Sequence, residues 1–119
     1  MNKRCIGKQY EELAVDFLRG NGVRIVEKNF RSHLGEVDLI GFKDNYYIFF
    51  EVKYRKTERA GYPVEAVNLK KQQTISRVAD YFKVIRKLPD SCNVRFDVVA
   101  ILADSIKWYQ NAFDYCGYR

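Results

Sequence analysis

Long apolar runs are missing from this sequence. Segments such as residues 46–50, YYIFF, fall far short of the roughly 20 residues a membrane-spanning helix requires, so no membrane segment is expected. Cysteine is scarce: Cys5, Cys92 and Cys116 are odd in number, widely spaced and form no C-x-x-C. A disulfide framework and a structural zinc site are thereby disfavoured, and three unpaired thiols suit a reducing cytoplasm. Histidine occurs once, at His33 in a polar stretch, with no partner arrangement that would make it a ligand or a base. The opening residues, MNKRCIGKQYEEL, turn charged before an apolar run develops, so no secretory signal is expected. Repeats, low-complexity tracts and internal linkers are also lacking. The 119 residues therefore read as one domain, 1–119, with chain enough for a single core.

Basic residues and aromatics are what the sequence does have. Lys and Arg number 21 against 15 Asp and Glu, a net charge of +6, which favours a polyanionic partner, nucleic acid being the commonest soluble one. Many basic proteins bind none, so charge alone leaves the matter even. Nine Tyr and eight Phe can fill a core, stack on bases, or do both.

Hydrophobic periodicity predicts a helix over residues 6–20, with Tyr10, Leu13, Ala14, Phe17 and Leu18 as its stripe and Gly20 and Gly22 ending it. Strands are expected at 23–27, 36–41 and 46–54, the last, YYIFFEVKY, being the strongest strand signal in the chain. A polar stretch, 28–34, separates the first two, and FKDN marks a turn between the second and third. After a charged loop at 56–62, Pro63 stands at a first helical position. The helix is expected to run to about Lys87, with Val64, Val67, Lys71, Ile75, Val78, Ala79, Phe82 and Ile85 on one face and Pro89 just past its end. Strands at 94–102 and 106–110 follow. The order α-β-β-β-α-β-β implies an α/β architecture, a mixed sheet with a helix on either side.

Two carboxylates stand out. Asp38 lies in VDLI and Glu51 in IFFEVKY, both apolar strand contexts where a charge is costly unless compensated. Lys53 follows Glu51 by two positions and so shares its face of the strand. If strands 36–41 and 46–54 form a hairpin centred on Asp44 and Asn45, Asp38 falls opposite Glu51 and Glu36 opposite Lys53, with Cβ atoms roughly 5 Å apart. Carboxylates that close repel unless a proton or a cation bridges them. Mg²⁺, which takes oxygen ligands at about 2.1 Å and is often held by one or two carboxylates plus water and phosphate, suits that spacing. The chemistry such a site can perform is phosphodiester hydrolysis, the metal neutralising developing charge and a lysine orienting water or stabilising the transition state. A structural ion-pair cluster is the competing reading of the same residues.

Beyond these residues the chain resembles the YraN-like bacterial proteins, predicted endonucleases of the PD-(D/E)XK superfamily, distantly similar to archaeal Holliday junction resolvases. The resemblance covers residues 7–113. It rests on E-x-x-A from Glu11, KNFR from Lys28, GEVDLI from Gly35, FEVKYR from Phe50, G-x-P-x-E-A-V from Gly61, RFDVV from Arg95 and NAF from Asn111. It implies a restriction-endonuclease-like fold and an Mg²⁺- or Mn²⁺-dependent DNA endonuclease, acting on branched or damaged DNA, including single-stranded regions. Residue by residue, it implies metal-binding carboxylates at Asp38 and Glu51, with the Val52 backbone beside them, and a catalytic lysine at Lys53. Glu11 matches the extra acidic residue that some resolvase-like members bring to the metal. Lys70 and Gln73 lie where many members carry auxiliary polar residues. The superfamily's proline before the first Asp is replaced by Val37.

Other residues are weighed beside these. Glu36 is either a further auxiliary ligand or the partner of Lys53, and the pair is slightly favoured. Lys70, Gln73 and Arg77 share one helix side at spacings of three and four, fit to reach a phosphate or simply to be solvated. Arg31, Arg55, Lys56 and Arg59 surround the proposed site in sequence and read as nucleic-acid contacts that position without specifying sequence. Asp97 in RFDVV reads as a structural partner for an arginine. A homodimer is left open, because the aromatic tail FDYCGYR suits an interface or a cover for the core. The contrasting function is a non-catalytic nucleic-acid- or partner-binding module that keeps a nuclease fold.

Overall fold

The structure is a computed structural model that describes the backbone of residues 3–55, 67–103 and 105–117, with side chains from residue 9 onward. Five strands form one sheet in the order β1-β2-β3-β4-β5. They are β1 (Arg24–Ser32), β2 (Gly35–Lys43), β3 (Tyr46–Tyr54), β4 (Asn93–Ile101) and β5 (Ile106–Phe113), with α1 (Lys3–Gly20) before them and α2 (Leu69–Ile85) between β3 and β4. β3 and β4 are parallel and every other neighbouring pair is antiparallel. The sheet is thus mixed, and the parallel pair takes the long crossover that such a pair requires, with α2 in it. This α/β arrangement, a five-stranded mixed sheet between two helices, is a restriction-endonuclease-like fold.

Each helix covers one face. On the α1 side, Ala14, Val15 and Leu18 pack on Leu39, Ile48, Phe50, Val99 and Ile101. On the α2 side, Ile75, Val78, Ala79 and Phe82 pack on Val37, Ile40, Phe49, Phe96 and Val98. β3 and β4 are buried on both faces, which is why their sequences read as nearly unbroken apolar runs.

The ends of α1 and α2 follow from local chemistry. Gly22 adopts φ +88. Its N–H reaches Arg19 O while Val23 N–H reaches Leu18 O, a Schellman closure with Val23 packed in the same cluster as Leu18. α2 begins later than expected. Asn68 caps it, its side chain accepting from Lys71 N–H at 2.8 Å. Val67 and Asn68 are not helical, so the helix does not run on continuously from Pro63, which with Val64 lies outside the described residues. Two stripe positions differ as well: Leu13 and Ile85 are exposed at 48% and 45%, because the sheet is met by Val15 on α1 and by Phe82 on α2 instead.

β1 is longer than its apolar pattern. The polar stretch 28–32 continues the strand, since pairing to β2 runs from Arg24↔Phe42 to Ser32↔Gly35 around a bulge at Ile25/Glu27. As an edge strand, β1 sets only Val26 and Phe30 against the α2-side core and Ile25 against the α1-side core, so its apolar pattern is broken. β5 likewise continues through NAF to Phe113. The tail then crosses α2, with Cys116 N–H donating to Ser76 Oγ and the Tyr115 hydroxyl donating to Asp80. No helix among the described residues is long and apolar enough to cross a membrane.

Candidate active site

The site begins where two strands part. β2 and β3 leave a two-residue turn whose central residues, Asp44 and Asn45, have φ +52 and +66. Positive φ at both positions is the primed turn whose twist matches a hairpin, and Asx residues tolerate it. The register is the one the turn implies, from Lys43↔Tyr46 to Leu39↔Phe50. The ladder ends there, one residue short of Asp38 and Glu51. A buried N–H needs an acceptor, and at this point a side chain supplies one: Val52 N–H donates to Asp38 Oδ2 at 2.7 Å.

β2 also changes face at Asp38. Val37 lies in the α2-side core and Leu39 in the α1-side core. In a regular strand those residues, two apart, would share a face. The reversal leaves Asp38 in the opening between β2 and β3, within electrostatic reach of Glu11 on α1 and Lys71 on α2.

Glu51 is 6% exposed. Its neighbour on the same face, Lys53, brings Nζ to 3.2 Å from Oε1. The Asp38 carboxyl is pushed up to about 7, chiefly by burial and then by the charge of Glu51; the Val52 N–H works the other way. A carboxyl whose ionisation is opposed by burial and by a neighbouring carboxylate, in a part-buried opening, is a place where a proton or a cation is favoured.

The remaining expected residues divide around this pair. Glu11 is half-buried on α1, and Asn29 Nδ2 donates to its Oε2 at 3.0 Å. No three His, Cys, Asp or Glu residues among those described lie close enough together to hold a metal, so Glu11 flanks the Asp38–Glu51 pair without completing a cluster. Glu36 does not meet Lys53. It lies opposite Arg31 on β1, with a 3.6 Å ion pair to it, because β2 has left β3 by this level and stays joined only to β1. Lys70 is exposed and Gln73 half-buried in the first turns of α2. Arg77 Nε donates to Gly117 O at 3.4 Å and so holds the tail. Arg31 is exposed, Arg55 Nη1 donates to Tyr54 O at 3.1 Å, and Lys56 and Arg59 lie outside the described residues.

Two residues near the site escaped the sequence reading. Lys71 was assigned to the apolar face of α2, yet its charge is felt at Asp38. The capping signal of Asn68 three residues earlier was the clue to its first-turn position. Asn29 lies in the KNFR motif, but its place beside the site is not legible there, because its left-handed backbone cannot be read from a polar stretch. Asp97, by contrast, is the expected structural acid. It is fully buried and accepts from Arg95 through both oxygens, from Trp108 Nε1 at 2.8 Å and from Asn111 N–H at 2.8 Å.

Comparison with known proteins places these features in a family. The profile of the uncharacterised protein family UPF0102 matches residues 10–101. The UPF0102 protein of Lachnoclostridium phytofermentans is 39% identical over 98% of this chain and 99% of its own length. That of Caldicellulosiruptor saccharolyticus is 48% identical over 85% of both chains. That of Fusobacterium nucleatum is 40% identical over 93% of this chain and 92% of its own.

Proposed function

The chain belongs to the UPF0102 (YraN-like) family, and we propose that it is an Mg²⁺- or Mn²⁺-dependent endonuclease that hydrolyses DNA phosphodiester bonds, with branched or damaged DNA as its substrate. The observation that carries this reading is the meeting of Asp38 and Glu51 where β2 and β3 separate, with Lys53 at 3.2 Å from Glu51.

The donor set fits a hard cation. Asp38 and Glu51 offer only oxygen, the charge of Glu51 opposes ionisation of Asp38, and two carboxylates plus water and substrate phosphate are a set Mg²⁺ or Mn²⁺ accepts. Asp38 and Glu51 would hold the ion, with Glu11 beside them. When bound, the ion supplies positive charge against the negative charge that develops as a phosphodiester is cleaved. Lys53 is placed to exchange its contact with Glu51 for a hydrogen bond to an incoming water or to a non-bridging phosphate oxygen. The Val52 N–H fixes one Asp38 oxygen, Oδ2, and so orients the carboxylate in the opening. Arg31 on β1 and Arg55 just past the end of β3 suit the sugar-phosphate backbone, and the net charge of +6 suits a polyanion. A cytoplasmic location accords with the free thiols of Cys92 and Cys116.

The decisive experiment incubates the protein with labelled four-way, flap and duplex DNA, with and without Mn²⁺ or Mg²⁺, beside Asp38→Ala, Glu51→Ala and Lys53→Ala. Cleavage is expected only with metal, and each substitution is expected to lower it by about a hundredfold or more while the fold is kept. Cleavage in chelator, or wild-type rates in the three variants, overturns the assignment. Salt-sensitive DNA binding with no turnover under any metal supports the non-catalytic binding module instead.

A further inference from the structure

Asp38 is aimed by a kink that involves two strands, and the second is β1. On either side of Asp38 the register of β1 with β2 is unchanged: Lys28↔Leu39 comes before it and Phe30↔Val37 after it. The pair between them, Asn29 with Asp38, is missing from the ladder. Asn29 has φ +51, a left-handed conformation inside a strand that is otherwise extended. One residue on each strand therefore drops out of pairing at the same level, so no residue is gained on either side. Across this interruption β2 changes face, from Val37 under α2 to Leu39 under α1. Left-handed backbone costs an ordinary L-residue roughly 1–2 kcal/mol, and Asn is among the few that adopt it routinely.

The same residue touches the site a second way. From this kink the Asn29 side chain spans to α1 and donates through Nδ2 to Glu11 Oε2 at 3.0 Å. This hydrogen bond ties α1 to the kinked level of the sheet and fixes one Glu11 oxygen.

We propose that Asn29 is a positioning residue of the site: its left-handed backbone turns Asp38 into the opening between β2 and β3, and its amide holds Glu11 alongside. This rests on the nuclease reading above and deepens it, since it ties Glu11, which flanks the carboxylate pair, to the kink at Asp38 through a residue of β1. Asn meets both requirements at once. Glycine meets only the backbone one. A β-branched residue meets neither.

The test is a double-mutant cycle read by calorimetric titration of Mn²⁺, with thermal unfolding in chelator recorded for every variant. Asn29→Gly is expected to keep the melting temperature close to that of the unsubstituted protein, because the kink survives. It should weaken Mn²⁺ binding by about tenfold, the usual effect of losing a group that orients a metal ligand. Glu11→Gln is expected to weaken binding similarly. The double variant should bind no worse than Glu11→Gln alone, since the amide acts through Glu11. Asn29→Val should lower both the melting temperature and the affinity. Unsubstituted affinity in Asn29→Gly overturns the amide's role, as does a loss that adds fully to that of Glu11→Gln. A melting temperature for Asn29→Val equal to that of Asn29→Gly overturns the backbone's role. In each of these cases Mn²⁺ binding that is lost in Asp38→Ala leaves the nuclease site standing. Absence of Mn²⁺ binding to the unsubstituted protein, with and without a DNA junction, removes that site and the positioning role together.

Discussion

Asp38 is the residue whose placement works against stability. Its folded-state pKa lies near 7 against an ordinary 3.8, because burial and Glu51 both oppose its charge. Between about pH 4 and pH 7 the folded protein thus holds a proton that the unfolded chain has released, and stability falls as pH rises through that window. Asp38→Asn removes the charge yet keeps an oxygen for the Val52 N–H. In metal-free buffer it is expected to raise the melting temperature at pH 8 and to change it little near pH 4.5; equal shifts at the two pH values would contradict the account. Asp97 is held differently. It is fully buried where Asp38 is half-buried, yet both of its oxygens are engaged by Arg95, Trp108 and Asn111. Asp97→Ala strands a largely buried guanidinium and should cost about 3–5 kcal/mol in chemical denaturation. Both acids sit in apolar strand sequence and look alike there, and the placing of Arg95 two residues before Asp97 on the same face is what marks the structural one.

At the scale of elements, the hairpin was the most readable feature. Its turn chemistry, Asp44-Asn45, fixes the loop length, and loop length fixes the register. Asp44→Val would put a β-branched residue at φ +52 and is expected to destabilise by about 1–2 kcal/mol, measured by denaturant unfolding. What the register did not convey was where pairing stops. The placement of Glu36 opposite Lys53 assumed a ladder continued to its end, whereas β2 leaves β3 after Leu39↔Phe50 and gives Glu36 to Arg31. The late start of α2 has a similar origin. Periodicity reports which residues are apolar, but the helix begins where a side chain satisfies its free N–H groups, and that is Asn68.

For the whole molecule, the proposed nuclease function together with the +6 charge predicts DNA affinity that falls steeply with salt. Arg55→Ala should reduce the slope of log affinity against log salt by about one, measured by fluorescence anisotropy on a junction substrate, if that arginine contacts a phosphate. The sequence by itself determined the mixed sheet between two helices, the hairpin register, and the presence of Asp38, Glu51 and Lys53 on apolar strands, since these depend on local periodicity, turn chemistry and spacing. Only the tertiary structure decided that β2 and β3 part at Asp38, that Asn29 is left-handed opposite it, that Glu11 flanks the carboxylate pair, and that Lys71 faces it from α2. Those features are set by packing between segments distant in the chain: two helices pressing on opposite faces of one sheet determine where a strand must change face, and no local pattern records that balance.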